Sequence, residues 1–79
     1  MEQKKIIKKA LKGYMNTFVR DRNGALYCVV NLGFTDSTLP ANYNKYDPAE
    51  RDAVVDILND LGYVPTFTSG REATLKFYV

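Results

Sequence analysis

Residues 47–62, DPAERDAVVDILNDLG, carry the start, stripe and stop of one helix, and any fold of this chain must bury that stripe. Asp47 can cap the first turn, and Pro48 stands at the first helical position, where its missing N–H is no loss. Glu50 follows at the capping-box spacing. Val54, Ile57, Leu58 and Leu61 recur with a 3.6-residue period, and Gly62 supplies the left-handed residue that ends a helix. Asp52, Asp56, Asn59 and Asp60 occupy the opposite face. The segment therefore buries one side and shows water an acidic one.

The remaining elements must complete a core around it. Residues 2–12 read as a short amphipathic helix, with Ile6, Ile7, Ala10 and Leu11 on one side and Lys4, Lys5, Lys8, Lys9 and Lys12 on the other. Alone it is marginal, so it must dock. Residues 14–22 and 25–34 flank Asn23-Gly24, which suits the two left-handed positions of a type I′ turn. A two-residue loop sets Phe18 opposite Val29 and Val19 opposite Cys28. That count puts Met15, Thr17, Val19, Leu26, Cys28, Val30, Leu32 and Phe34 toward the core. Tyr14, Asn16, Phe18, Arg20, Tyr27, Val29 and Asn31 fall on the other face.

Residues 63–68 form a second β segment, which Pro65 confines to an edge or a strand end. Residues 73–79 alternate, with Ala73, Leu75, Phe77 and Val79 on one face and Thr74, Lys76 and Tyr78 on the other. Two registers are open for this hairpin. The one pairing the apolar face with Tyr63, Pro65 and Phe67 is preferred, because it buries Phe67. The apolar last strand suits the sheet centre better than the strand that contains Pro65. The order α-β-β-α-β-β predicts an α+β domain spanning residues 1–79, a four-stranded, mainly antiparallel sheet with both helices on one face.

Chemistry is limited by what is missing. With one cysteine and no histidine, the chain has no internal disulfide, no Cys/His zinc set and no imidazole-activated nucleophile. Cys28 reads as a packed thiol. Carboxylate pairs built on Asp21 or Asp36 lack a pocket-forming sequence. No metal or cofactor site is expected, and no apolar run approaches the ~18 residues of a membrane span. The reading is cytoplasmic. A net charge of +2 implies no polyanionic partner by itself.

Three surfaces remain as candidates. The lysine face of the first helix can meet phosphates or be a solvated face. The mixed sheet face offers Tyr14, Phe18 and Tyr27 beside Arg20, either as stacking and anchoring groups or as cross-strand packing. Residues 33–46 are long for a connection in so small a domain, with Leu39, Tyr43 and Tyr46 as anchors. The Asp52, Asp56 and Asp60 stripe lies on a convex surface that cannot enclose an ion.

Six tyrosines and four phenylalanines exceed what so small a core absorbs, and tyrosine suits interfaces. The expectation is a non-enzymatic protein-binding module using Tyr14, Phe18, Arg20, Tyr27, Tyr43 and Tyr46, with self-association as one outcome. The alternative is a nucleic-acid-binding module using Lys4, Lys5, Lys8, Lys9 and Lys12 with the sheet aromatics. In length and plainness the chain is similar to small accessory or inhibitor proteins of phages and mobile elements, a likeness that carries no site residue.

Overall fold

The computed structural model describes residues 2–35, 38, 40 and 45–79. The chain runs α1 (Glu2–Ala10), β1 (Met15–Arg20), β2 (Leu26–Phe34), α2 (Pro48–Asp60), β3 (Thr66–Ser69) and β4 (Glu72–Tyr78). The strands form one four-stranded sheet in the order β1-β2-β4-β3, with every strand pair antiparallel. This is the α-β-β-α-β-β α+β fold that the sequence predicts. Among the described residues no helix is long and apolar enough to cross a membrane.

Local chemistry explains the elements. Asp47 Oδ1 accepts the Ala49 N–H at 2.9 Å and Pro48 opens α2. At the other end Tyr63 N–H donates to Leu58 O at 2.9 Å and Gly62 N–H to Asn59 O at 3.0 Å, with Gly62 at φ +92°. Those two bonds are a Schellman motif, with Tyr63 and Leu58 closing it in the same apolar cluster. β4 takes a central place and β3, short and preceded by Pro65, an edge. Their register pairs Phe67 with Leu75 and Thr66 with Lys76, the alternative expected, but on the edge strand Phe67 is not buried and stays 37% exposed.

The first hairpin departs from expectation by one residue. Phe18 pairs with Cys28, Val19 with Tyr27 and Met15 with Asn31. Asp21 is the cause. Its Oδ1 accepts the N–H groups of Asn23 and Ala25, both at 2.9 Å. Gly24 N–H donates to Asp21 O at 3.0 Å, and Asp21 N–H to Ala25 O at 2.9 Å. The loop is therefore Arg22-Asn23-Gly24, a type I turn that Asp21 begins and Gly24, at φ +82°, completes. A type I′ turn needs Asn23 in the left-handed region, and among the described residues only glycines occupy it.

Because side chains alternate, that one residue turns β1 over. The β2 assignment stands, with Cys28, Val30 and Leu32 buried. In β1, Phe18 moves to the core side, while Met15, Thr17 and Val19 stand on the exposed face. One buried cluster joins Ile7 and Leu11 of α1, Val54 and Leu58 of α2, Cys28, Val30 and Leu32 of β2, and Ala73, Leu75 and Phe77 of β4. Ile6, expected inside, is 45% exposed. Tyr14, Phe18, Tyr46 and Tyr63 pack around the cluster.

Candidate functional site

The sheet has a buried face, carrying Cys28, Val30, Leu75 and Phe77, and an outer face built by the alternate residues of each strand. On the outer face the β2–β4 register brings Tyr27 opposite Tyr78, next to Lys76. The two rings lie 5.5 Å apart and tilted, and the Lys76 ammonium stands 4.4 Å from the Tyr27 centroid and 5.4 Å from that of Tyr78. Tyr78 O–H donates to Asp21 Oδ2 at 3.2 Å, tying the hairpin turn to the end of β4. Toward the β1 edge the face continues through Val29, Thr17, Val19 and Met15. Met15 is 67%, Tyr78 51% and Val19 37% exposed.

The sequence-predicted residues divide between the two faces. Tyr27 is on the outer face. Tyr14 and Phe18 are not, because the register shift puts them on the buried side, where both are half-buried. The expectation that Tyr14, Phe18 and Tyr27 share one surface is thus corrected, and Arg20 leaves Tyr27 with them. Tyr46 belongs to a separate group. Its ring lies 5.7 Å from Phe67, its O–H accepts from Arg51 Nη1 at 2.8 Å, and the Arg51 guanidinium stands 5.2 Å over Phe67. Tyr46 N–H also donates to Phe34 O at 3.0 Å, so the end of the 33–46 loop is fastened to the body. Tyr43, Leu39 and Asp36 lie outside the described residues.

A second environment forms on the other side of β1. Phe18 and Leu26 floor an open cleft of about 370 Å³ walled by Lys4 and Arg20. The Lys4 and Lys8 ammonium groups lie 5.2 Å and 5.9 Å from the Phe18 centroid. Arg20 Nη1 donates to Gly24 O at 2.8 Å, which leaves its other donors free. Lys5 and Lys9 are exposed along α1, and Lys12 in the turn after it.

A further cleft of about 410 Å³, lined by Tyr14, Met15, Asn31, Leu32, Glu50 and Glu72 among others, opens where a bulge at Asn31–Gly33 bends the end of β2. Its polar groups are partly engaged, since Asn31 Nδ2 donates to Glu72 Oε2 at 2.8 Å. Among the described residues no cluster of three or more potential metal ligands exists, and no polar or charged side chain is buried. Cys28 is fully buried, and burial pushes its thiol pKa up to about 11, away from the thiolate a nucleophile needs.

Lys76, Tyr78, Met15 and Val19 were not among the predicted site residues. The alternation of β4 does assign Lys76 and Tyr78 to its polar face. Their meeting with Tyr27 depends on β2 and β4 being neighbours, which no local pattern states. No protein-family model, curated protein or solved structure matches the chain.

Proposed function

We propose that the chain is a non-enzymatic protein-binding module, of the small accessory or inhibitor kind, which offers the outer sheet face to a protein partner. The observation that carries this reading is the exposed apolar strip of Met15 and Val19 running toward Tyr27 and Tyr78. Exposed apolar side chains grouped on one sheet face mark contact surfaces. Tyrosines offer a partner broad rings at low entropic cost and a hydroxyl at the rim. The lack of histidine and the buried, protonated Cys28 support the non-enzymatic part.

The test compares the full chain with a Met15→Thr/Tyr78→Ser variant as bait in affinity capture. Both positions are exposed, so circular dichroism of the variant should match the parent. The complex captured by the parent is then rebuilt from purified components. Loss of binding in the variant supports the reading, and undiminished binding refutes it.

A second reading follows from the exposure of Lys5, Lys8, Lys9 and Lys12 along α1 and the turn after it. Such a face fits phosphates. Binding of that origin falls steeply as salt rises, so an oligonucleotide titration without binding at low salt removes it.

A further inference from the structure

The two edges of the sheet are protected unequally. β3 is four residues long, follows Pro65 and ends at Ser69 before Gly70, all of which blunt an edge. β1 is six residues long and contains neither proline nor bulge, and its outward side chains Met15, Thr17 and Val19 carry no charge. Its free groups can be assigned. The bond from Asp21 N–H to Ala25 O makes Asp21/Ala25 a hydrogen-bonded pair. In an antiparallel ladder such pairs alternate, so Val19, Thr17 and Met15 also bond to β2. Asn16, Phe18 and Arg20 therefore turn their N–H and C=O groups to the open edge.

The same three residues project their side chains to the face where Lys4, Lys8 and Arg20 surround Phe18. Among the residues whose side chains are described, no carboxylate forms a salt bridge with these cations. A strand laid on β1 would place its own alternate side chains beside those cations, and the intervening ones beside Met15, Thr17 and Val19. We infer that the β1 edge is a docking site for an extended segment of a partner protein, with acidic residues at every second position and apolar or β-branched residues between them.

Charge selects this occupant over a second copy. Two β1 strands joined about a two-fold axis would bring Lys4, Lys8 and Arg20 of both copies to one seam, and like charges facing each other across strands repel. An acidic strand turns the same groups into attraction while gaining main-chain bonds, the β-augmentation mode of recognition. The cations thus guard the edge against self-pairing and admit a complementary guest.

The inference rests on the protein-binding reading and is tested with the ¹⁵N-labelled full chain. The probe is a short acetylated and amidated peptide alternating glutamate with valine and threonine. Its addition should shift the amides of Asn16, Phe18 and Arg20 and slow their hydrogen exchange. Thr17 and Val19, already bonded to β2, should change less. The same peptide with lysine for glutamate should not bind. Lys4→Glu/Lys8→Glu should weaken the glutamate peptide on the order of tenfold. Asn16→Pro, which removes an outward N–H that the fold does not use, should abolish it.

Equal binding of the two peptides, no binding, or shifts confined to other strands would overturn the inference. So would β1 amides already protected in a dimer seen by light scattering, or an oligonucleotide occupying this edge in preference to the peptide. Peptide failure with partner capture still lost in Met15→Thr/Tyr78→Ser sinks the edge alone. Failure of both sinks the binding module as well.

Discussion

Truncating Phe18 and Val19 one at a time tests the register of the first hairpin, from which the make-up of both faces follows. Phe18 packs half-buried on the core cluster beneath Lys4 and Lys8, and Val19 is 37% exposed on the outer face. Removing a fully buried phenylalanine side chain costs about 3–5 kcal/mol, so a half-buried one costs roughly 2. The loss of the ammonium contacts adds about 0.5 kcal/mol for each at exposed sites. Phe18→Ala is therefore expected to cost roughly 2–3 kcal/mol, and Val19→Ala about 0.5 kcal/mol or less.

For a domain of this length the whole stability is roughly 4–12 kcal/mol, so the first loss is a large share of it. At about 4–8 °C per kcal/mol, Phe18→Ala should lower Tm by roughly 10–20 °C and Val19→Ala by a few degrees at most. Urea titrations and thermal melts followed by circular dichroism read both quantities, with equal m values confirming a common unfolded state. If Val19→Ala proves the more costly substitution, the loop has two residues, Val19 is inside, and the surface proposed here does not exist.

Asp21→Ala removes the acceptor of the Asn23 and Ala25 N–H groups and of the Tyr78 hydroxyl, and should cost about 1–2 kcal/mol. A Tyr78→Phe cycle separates the hydroxyl's share. Asp47→Ala uncaps α2 and should cost about 1 kcal/mol in urea titration, with Asp47→Ser keeping most of it. Gly62→Ala, forced to φ +92° with open space around its new methyl, should cost roughly 1–2 kcal/mol through backbone strain rather than clash. The Cys28 thiol should resist alkylation at neutral pH until the chain unfolds. Its pKa is raised on folding from 9.0 to about 11, so the unfolded chain loses that proton first. Stability should then fall across that interval by up to about 1.4 kcal/mol per pH unit, a slope missing in Cys28→Ala.

Helices announce themselves locally. The Asp47 cap, the Pro48 start, the Val54 and Leu58 stripe and the Gly62 stop all act within a few residues of chain, so α2 could be read before any tertiary contact was known. α1 shows where that reading blurs. With apolar residues at 6, 7, 10 and 11, the stripe is wide enough to rotate, and packing chose Ile7 and Leu11 over Ile6. The second hairpin was legible for a different reason. Phe67 has a large apolar area, and only one of two registers turns it to the apolar side, although on that edge strand it stays 37% exposed.

The first hairpin lacked such an arbiter, because both faces of β1 offer one large apolar group at mid-strand. Phe18 and Val19 can each serve as the inward residue, so hydrophobic pattern leaves the parity open and the turn must decide it. Asn23-Gly24 argues for a two-residue loop, and Asp21, two positions earlier, argues for three by gathering the N–H groups of Asn23 and Ala25 onto one carboxylate oxygen. A left-handed asparagine costs free energy that a type I turn avoids, and Gly24 alone carries the positive φ the longer loop needs. The outcome reaches beyond the turn. It moves Phe18 beneath the lysines of α1, exposes Val19 beside Tyr27 and leaves Met15 exposed further along the same face. It also aligns the free backbone of Asn16, Phe18 and Arg20 with the cations on the same side. A loop one residue shorter would have put Val19 under those lysines and Arg20 on the tyrosine face, and the edge would then show an incoming strand a different pattern of charge.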